Sequence, residues 1–377
     1  MASMTDPIHA ASHSVLVPVD PSSSVSLFVM IFTPPPGKAN GRTVVMLHGF
    51  PEFWGFWHPQ VDALVDAGFQ VVIPDQRGYN KSSMPPPTDN GDHYGIPRLA
   101  GDVIAMLDHL NLPKVTLVGH DFGGAVSWWT TMQFPQRIER LIILAMPHPL
   151  AFFNAWRDDP QQKADSIYIQ YFLTKKMSPD LVKATAGGVL ALSMRMSSKP
   201  NTFDDATLDA FRTAWLRKSD GTSFVPPGTL ASAIAAANQQ NNPSALFNQL
   251  NAAQALTAIG KMLWSGAAMM NWYNALLKTF IDFKDKPGFQ WPSPNGVINV
   301  PVLVLEGDDD AFFQSSLLKK TMALCKAPGS GGKLLLGATH WMAWDATART
   351  NRLLVAYAKD GTILTDPSLN MKDYTQT

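Results

Sequence analysis

The sequence predicts an α/β protein: a mostly parallel sheet flanked by helices, carrying an inserted and mainly helical cap. Three observations carry this expectation. Short β-branched runs alternate with helical stretches over the first 150 residues, the same alternation returns after residue 300, and the strand signal disappears between them. Runs that are apolar throughout and alternate with helices belong to parallel strands covered on both faces.

Taken in chain order, residues 15–17 and 25–32 are apolar and β-rich and predict an early antiparallel hairpin. Pro34-Pro35-Pro36-Gly37 then breaks the pattern. Strands are expected at 43–47, 71–73, 115–118 and 141–144, and again at 302–305 and 334–336, with a helix near 346–358. The tail after Lys359 reads as weakly ordered. From residue 150 to 299 the chain is rich in Ala, Met, Gln, Asn and aromatics, with Tyr168, Tyr171 and Phe172 at helical spacing. Breakers divide it at Pro200, Pro226-Pro227-Gly228 and Asn241-Asn242-Pro243, and Pro287-Gly288 with 291–296 reads as the return linker. The expected division is a core of 1–149 and 300–377 and a cap of 150–299. Within the cap, residues 231–258 are low in complexity and fit either a surface helix pair or a lid.

Composition narrows the functional classes. The chain has 377 residues, 46% hydrophobic and 16% charged, as expected of a globular protein with a large core. Thirty Lys and Arg balance thirty Asp and Glu, so there is no electrostatic footprint for nucleic acid or an anionic membrane. One cysteine, Cys325, cannot form an internal disulfide and gives no zinc pattern. No basic-then-apolar leader opens the chain, and no apolar run reaches the roughly 20 residues of a membrane span. The expectation is a cytoplasmic protein.

The most informative segment is Val118-Gly119-His120-Asp121-Phe122-Gly123-Gly124. A strand feeds it and a helix-like stretch, 125–134, leaves it, which is the strand–sharp turn–helix context of a nucleophile elbow. Small residues flank the apex because a tight, strained turn leaves no room for bulk. At the apex, where serine enzymes place a hydroxyl, stands the carboxylate of Asp121. A carboxylate nucleophile attacks electrophilic carbon and forms an ester, which suits epoxides and alkyl halides better than amides. The plain alternative is a Gly-rich turn with an exposed Asp.

An acid and a histidine must accompany such a nucleophile. Gly307-Asp308-Asp309-Asp310 follows the strand at 302–305, and His340 follows the one at 334–336. The order nucleophile, acid, histidine is thereby met at the C-terminal edge of the sheet, where ligands gather in open α/β folds. Chemistry alone leaves the choice among the three aspartates open. His48-Gly49-Phe50-Pro51 follows the strand at 43–47, and its glycine allows the backbone to approach the reacting centre. The N–H groups of Phe50 and Phe122 together would form a two-donor oxyanion hole. Phe50-Pro51 is also a candidate cis peptide.

At these residues the chain resembles an epoxide hydrolase of the α/β-hydrolase fold family, over about residues 44–356. His48-Gly49-Phe50-Pro51-Glu52-Phe53-Trp54 resembles the family's oxyanion loop, and Asp75-Gln76-Arg77-Gly78-Tyr79 through Ser82 its next loop. Gly119 to Gly124 is similar to its nucleophile elbow, Gly307 to Asp310 with Ala311-Phe312 to its acid loop, and His340-Trp341 to its His-Trp pair. The resemblance selects Asp310 as the acid. It also implies that Tyr168 and Tyr273, in Tyr168-Ile169-Gln170-Tyr171-Phe172 and Asn271-Trp272-Tyr273, are the two phenols that activate the epoxide, whereas Tyr171 reads as a cap-core aromatic. Implied pocket residues are His48, Pro51, Trp54, Trp272 and Trp341.

Phe122 stands where many relatives carry Trp, Asn80 where a glycine is common and Ala311 where a proline is common. The implied reaction is hydrolysis of a small apolar epoxide to a vicinal diol through an ester on Asp121, with no cofactor and no metal, by a cytoplasmic monomer or homodimer in a detoxification role. Two alternatives share the pattern: a haloalkane or haloacid dehalogenase with the same nucleophile, and a non-catalytic ligand receptor on this scaffold.

Overall fold

A computed structural model describes residues 3–86, 92–174, 179–223, 265–286 and 288–374. The sequence features at 226–228, 241–243, 229–258 and Pro287 lie outside the described residues.

Among the described residues, nine strands form one sheet in the order β1-β2-β4-β3-β5-β6-β7-β8-β9. The hairpin of β1 (Ala11–Asp20) and β2 (Val25–Thr33) is antiparallel, and β2 runs antiparallel to β4 (Gln70–Pro74). The centre is parallel: β4, β3 (Thr43–Leu47), β5 (Val115–His120), β6 (Ile138–Leu144), β7 (Val302–Gly307) and β8 (Gly331–Leu335). Every residue of β5 and of β7 is buried, which explains why these runs carry no polar alternation.

Helices flank this sheet. α1 (His58–Asp66) precedes β4, α2 (Ile96–His109) precedes β5, and α3 (Asp121–Gln133) follows it directly. Between β6 and β7 the described elements include α4 (Pro149–Asp158), α5 (Pro160–Asp165), α6 (Ile167–Leu173), α7 (Pro179–Ala184), α8 (Gly188–Met196), α9 (Asp205–Trp215) and α10 (Ser265–Asp285). No described residue of this insertion joins the sheet. After β7 come α11 (Ser316–Met322), α12 (Met342–Asp345) and α13 (Thr347–Asp360), the last packing on α1.

Three local differences from the sequence reading have physical causes. The helix after β5 begins at Asp121 itself, so Gly123 and Gly124 are helical although their type disfavours it. Strand β8 starts at Gly331, three residues early. A side chain at Gly332 would meet Leu318 at 2.9 Å and one at Gly331 would meet Ile363 at 2.5 Å, so close packing selects glycines that hide the strand. The tail after Lys359 is ordered in part, correcting the expectation: β9 (Met371–Tyr374) pairs antiparallel with β8. Its residues are exposed or half-buried, so it lacks the apolar alternation that announces a strand.

Candidate active site

The C-terminal ends of β3, β5 and β7 and the loop after β8 converge on one carboxylate. Asp121 sits at the junction of β5 and α3 with φ +49°, a left-handed conformation that a residue with a Cβ adopts only under local strain. Such strain is the structural mark of an elbow that presents its side chain above the sheet. Gly49 faces it so closely that a Cβ there would lie 2.5 Å from the Asp121 Cβ and 2.7 Å from its Oδ1. With glycine in place, the backbone N–H of Phe50 donates to Asp121 Oδ1 at 2.9 Å. The Phe50–Pro51 peptide is cis.

His340 approaches from the other side. Its Nε2 lies 3.7 Å from Asp121 Oδ2, and its Nδ1 is 2.9 Å from Asp310 Oδ2. Asp310 in turn accepts the N–H groups of Phe312 (2.8 Å) and Phe313 (3.1 Å), which fixes the carboxylate against the imidazole. Of the three neighbouring aspartates only Asp310 meets the imidazole; Asp308 accepts from the N–H of Gly337, a turn contact. Burial pushes the imidazole down, but the Asp310 carboxylate, then Asp121 and Glu52, outweigh it and hold His340 at about 9.

Above the carboxylate lies a cavity of about 260 Å³. Asp121 and His340 share its wall with Tyr168, Tyr273 and rings such as Phe50 and Phe172. The Tyr168 and Tyr273 rings stand 6.2 Å apart at 85°, with Tyr273 stacked on Phe172 at 4.2 Å. Burial, followed by neighbouring negative charge including Asp121, raises both phenols well above their ordinary range, so both hold their protons at neutral pH.

Pro51 and Trp341 line the cavity; His48, Trp54 and Trp272 do not, which corrects their expected place. His48 is fully buried beneath the loop, where its Nε2 accepts from the N–H of Gln76 at 3.0 Å. Burial brings its pKa down to about 3, so it is a neutral strut. The Trp54 ring packs on Phe32 and Phe53, and the Trp272 indole donates to the carbonyl of Arg77 at 3.1 Å. Tyr171, expected in the cap core, is 44% exposed and lines the cavity. Sequence reasoning also missed Leu190, Ser193 and Met194 of α8, which line it too.

It missed a buried polar contact as well. Glu52 Oε1 lies 2.7 Å from His120 Nδ1, and Glu52 Oε2 accepts from the N–H of Gly49 at 2.6 Å. His120 Nε2 contacts the backbone carbonyl of His340 at 2.9 Å. One carboxylate therefore ties together the oxyanion loop, the residue before Asp121 and the histidine loop. The only sequence signal was the unusual adjacency of a charged residue to each loop.

Comparison with known proteins places the chain in a family. The sequence model of the α/β hydrolase fold family matches residues 42–347. Epoxide hydrolase 4 of Mus musculus is 33% identical over 332 residues, covering 86% of this chain and 75% of that protein. The AB hydrolase superfamily protein YfhM of Bacillus subtilis is 29% identical over 326 residues, covering 86% of this chain and 92% of its own. Among solved structures, an epoxide hydrolase of Bacillus megaterium in complex with an inhibitor superposes with a TM-score of 0.59 at 20% identity, covering 92% of this chain and 99% of that one. At that identity the superposition speaks for the fold alone. The chain is an epoxide-hydrolase-like member of the α/β-hydrolase fold family.

Proposed function

We propose that this protein hydrolyses epoxides to vicinal diols through a hydroxyalkyl ester on Asp121. The observation that carries the reading is the placement of Asp121 between the Phe50 N–H (2.9 Å) and His340 (3.7 Å), in one cavity with two protonated phenols. Asp121 attacks an epoxide carbon and its Oδ–carbon bond forms as the ring C–O bond breaks. Tyr168 and Tyr273 donate hydrogen bonds to the oxygen as it becomes an alkoxide, and one phenol proton neutralises it; that phenolate regains a proton, by way of water, from the imidazolium of His340, which leaves His340 neutral. His340, aligned by Asp310, then takes a proton from water that attacks the ester carbonyl. The N–H groups of Phe50 and Phe122 receive the charge, and the diol leaves with the oxygen that Asp121 supplied.

The charge sequence favours this order. The free Asp121 carboxylate helps to keep His340 protonated; esterification removes that charge, so the imidazole pKa falls as a base becomes necessary. We assign the insertion, 150–299, as the cap that supplies both phenols to the core of 1–149 and 300–377. Among the described residues the cavity wall is aromatic and aliphatic apart from the catalytic groups, Tyr171 and Ser193, which suits a small uncharged epoxide.

No observation favours a halide-releasing reaction. Among the described residues the one indole on the cavity wall, that of Trp341, gives its N–H to Ser197 Oγ at 2.9 Å, and the Trp272 N–H is committed to Arg77. The experiment is a panel of terminal, aryl and internal oxiranes assayed for diol by chiral chromatography, with halide release from matched haloalkanes beside it. Diol formation that is lost in Asp121→Ala supports the reading; halide release without diol formation contradicts it.

A further inference from the structure

We infer that Trp272 is a positioning residue for Tyr273, acting through its indole hydrogen bond to the Arg77 carbonyl; this rests on the ring-opening role proposed for Tyr273. Helix α10 meets the core along one stripe. Ser265, Ala268 and Trp272 are three and four residues apart, so they share a face. Ser265 Oγ accepts from the N–H of Asn80 at 2.9 Å and donates to the carbonyl of Gly78 at 3.3 Å. Gly78 has φ +88°, and a Cβ there would lie 3.3 Å from that of Ala268 and 2.8 Å from the Tyr94 ring, so only glycine lets the helix lie this close. Two turns along from Ser265, the Trp272 N–H reaches the Arg77 oxygen at 3.1 Å.

Tyr273 is the next residue, about 100° further round the helix. Once residues 265, 268 and 272 are seated on the 77–80 loop, the direction of residue 273 is set, and it turns toward the cavity. The rings continue the register: Trp272 stands edge-on to Phe122 at 5.6 Å, and Phe122 edge-on to Tyr273 at 5.0 Å. Phe122 follows the nucleophile, so the same indole touches the neighbours of both reacting groups.

The seat itself is rigid. Arg77 forms a two-pronged bond to Asp102 (Nε–Oδ2 2.8 Å, Nη2–Oδ1 2.6 Å), with both side chains almost fully buried. The preceding residue, Gln76, donates its N–H to His48, which adjoins the oxyanion glycine. The Arg77 carbonyl is thus a fixed point in the frame that also holds Phe50. A helix that loses this tie can rotate or slide, and a catalytic group displaced by about 1 Å loses about 10²-fold in rate.

The test uses the full chain carrying His340→Gln, in which the ester on Asp121 accumulates, and follows ester formation from styrene oxide by quenched-flow mass spectrometry. Trp272→Phe keeps a ring but removes the N–H. Ester formation is expected to slow by about 10- to 100-fold. In the Tyr273→Phe background, the same change is expected to cost less than about twofold, because there is no longer a phenol to position. Equal losses with and without Tyr273, or a folded Trp272→Phe protein at the parental rate, would overturn the inference. Tyr273→Phe at the parental rate would also overturn it. Ser265→Ala loosens the same helix end and serves if Trp272→Phe does not fold; its loss must likewise vanish without Tyr273, and an additive loss counts against positioning. Absence of any ester in the parent protein would defeat the proposed function and this inference together, whereas additive losses with ester present defeat the inference alone.

Discussion

Nε2 of His340 lies 3.7 Å from Oδ2 of Asp121, beyond direct hydrogen-bond distance and close enough for one charge to govern the other. That separation suits a base that acts on water at an ester of Asp121 rather than on Asp121 itself. A carboxylate needs no deprotonation to attack at neutral pH, so the proposed cycle uses the two groups in succession.

Removing the base should therefore separate the two halves of the reaction. His340→Gln is expected to form ester at close to the native rate and to lose diol turnover by about 10²- to 10⁴-fold. Intact-mass analysis after incubation with an epoxide should show one substrate mass added per chain, on the peptide containing Asp121. An unmodified protein with full loss of turnover would place His340 in the first half instead.

In the proposed cycle the phenols act earlier. Tyr168→Phe and Tyr273→Phe are each expected to slow ring opening by about one to three orders of magnitude and to leave ester hydrolysis unchanged. Single-turnover rates of the two half-reactions provide the check. Slowed hydrolysis with native ring opening would remove the tyrosines from the proposed role.

The elevated His340 pKa gives a pH signature in stability. The native value of about 9 exceeds the ordinary 6.5, so the native state holds this proton more tightly than the unfolded chain. The resulting stabilisation, about 3 kcal/mol at most, is fully present below about pH 6.5 and lost as pH rises through about 9. Urea unfolding between pH 6 and 10 should show the decline in the native protein and a much smaller one in Asp310→Asn. In kinetics, ester hydrolysis should rise with pH to a plateau with an apparent pKa below 9, because the esterified Asp121 no longer supports the imidazolium. An apparent pKa at or above 9 would count against that coupling.

Glu52 should matter for stability as well as rate. Glu52→Ala removes the carboxyl that meets His120 and accepts the Gly49 N–H, all in a fully buried setting. Leaving each buried polar partner unsatisfied costs about 1–3 kcal/mol. Denaturant midpoints measure this directly; a change below about 1 kcal/mol would mean that the contact carries no net stabilisation.

Much of this arrangement was legible in the sequence, for identifiable reasons. The parallel strands announce themselves because both faces are buried, as in β5, and Asp121, His340 and the run Asp308-Asp309-Asp310 follow because each stands just past such a strand, while the choice of Asp310 within the run came only from the family resemblance. Tyr168 and Tyr273 came only from a family resemblance, since two tyrosines on helices look like core aromatics. What stayed hidden depends on direction rather than pattern. Trp272 and Trp54 are apolar residues beside motif residues, and nothing in the sequence tells which way their rings point. Leu190, Ser193 and Met194 reach the cavity through the tertiary placement of α8, which no local periodicity specifies. Glu52 and His120 meet across 68 residues, and β9 lacks the alternation that a buried strand must have.

The central claim, that Asp121 rather than water opens the ring, is tested most directly by oxygen labelling. Enzyme in excess over a single equivalent of epoxide in ¹⁸O-water should release a first-turnover diol without the label, while the Asp121 carboxylate gains one ¹⁸O. A first-turnover diol that carries ¹⁸O, with Asp121 unlabelled, would mean direct attack by water and would contradict the account.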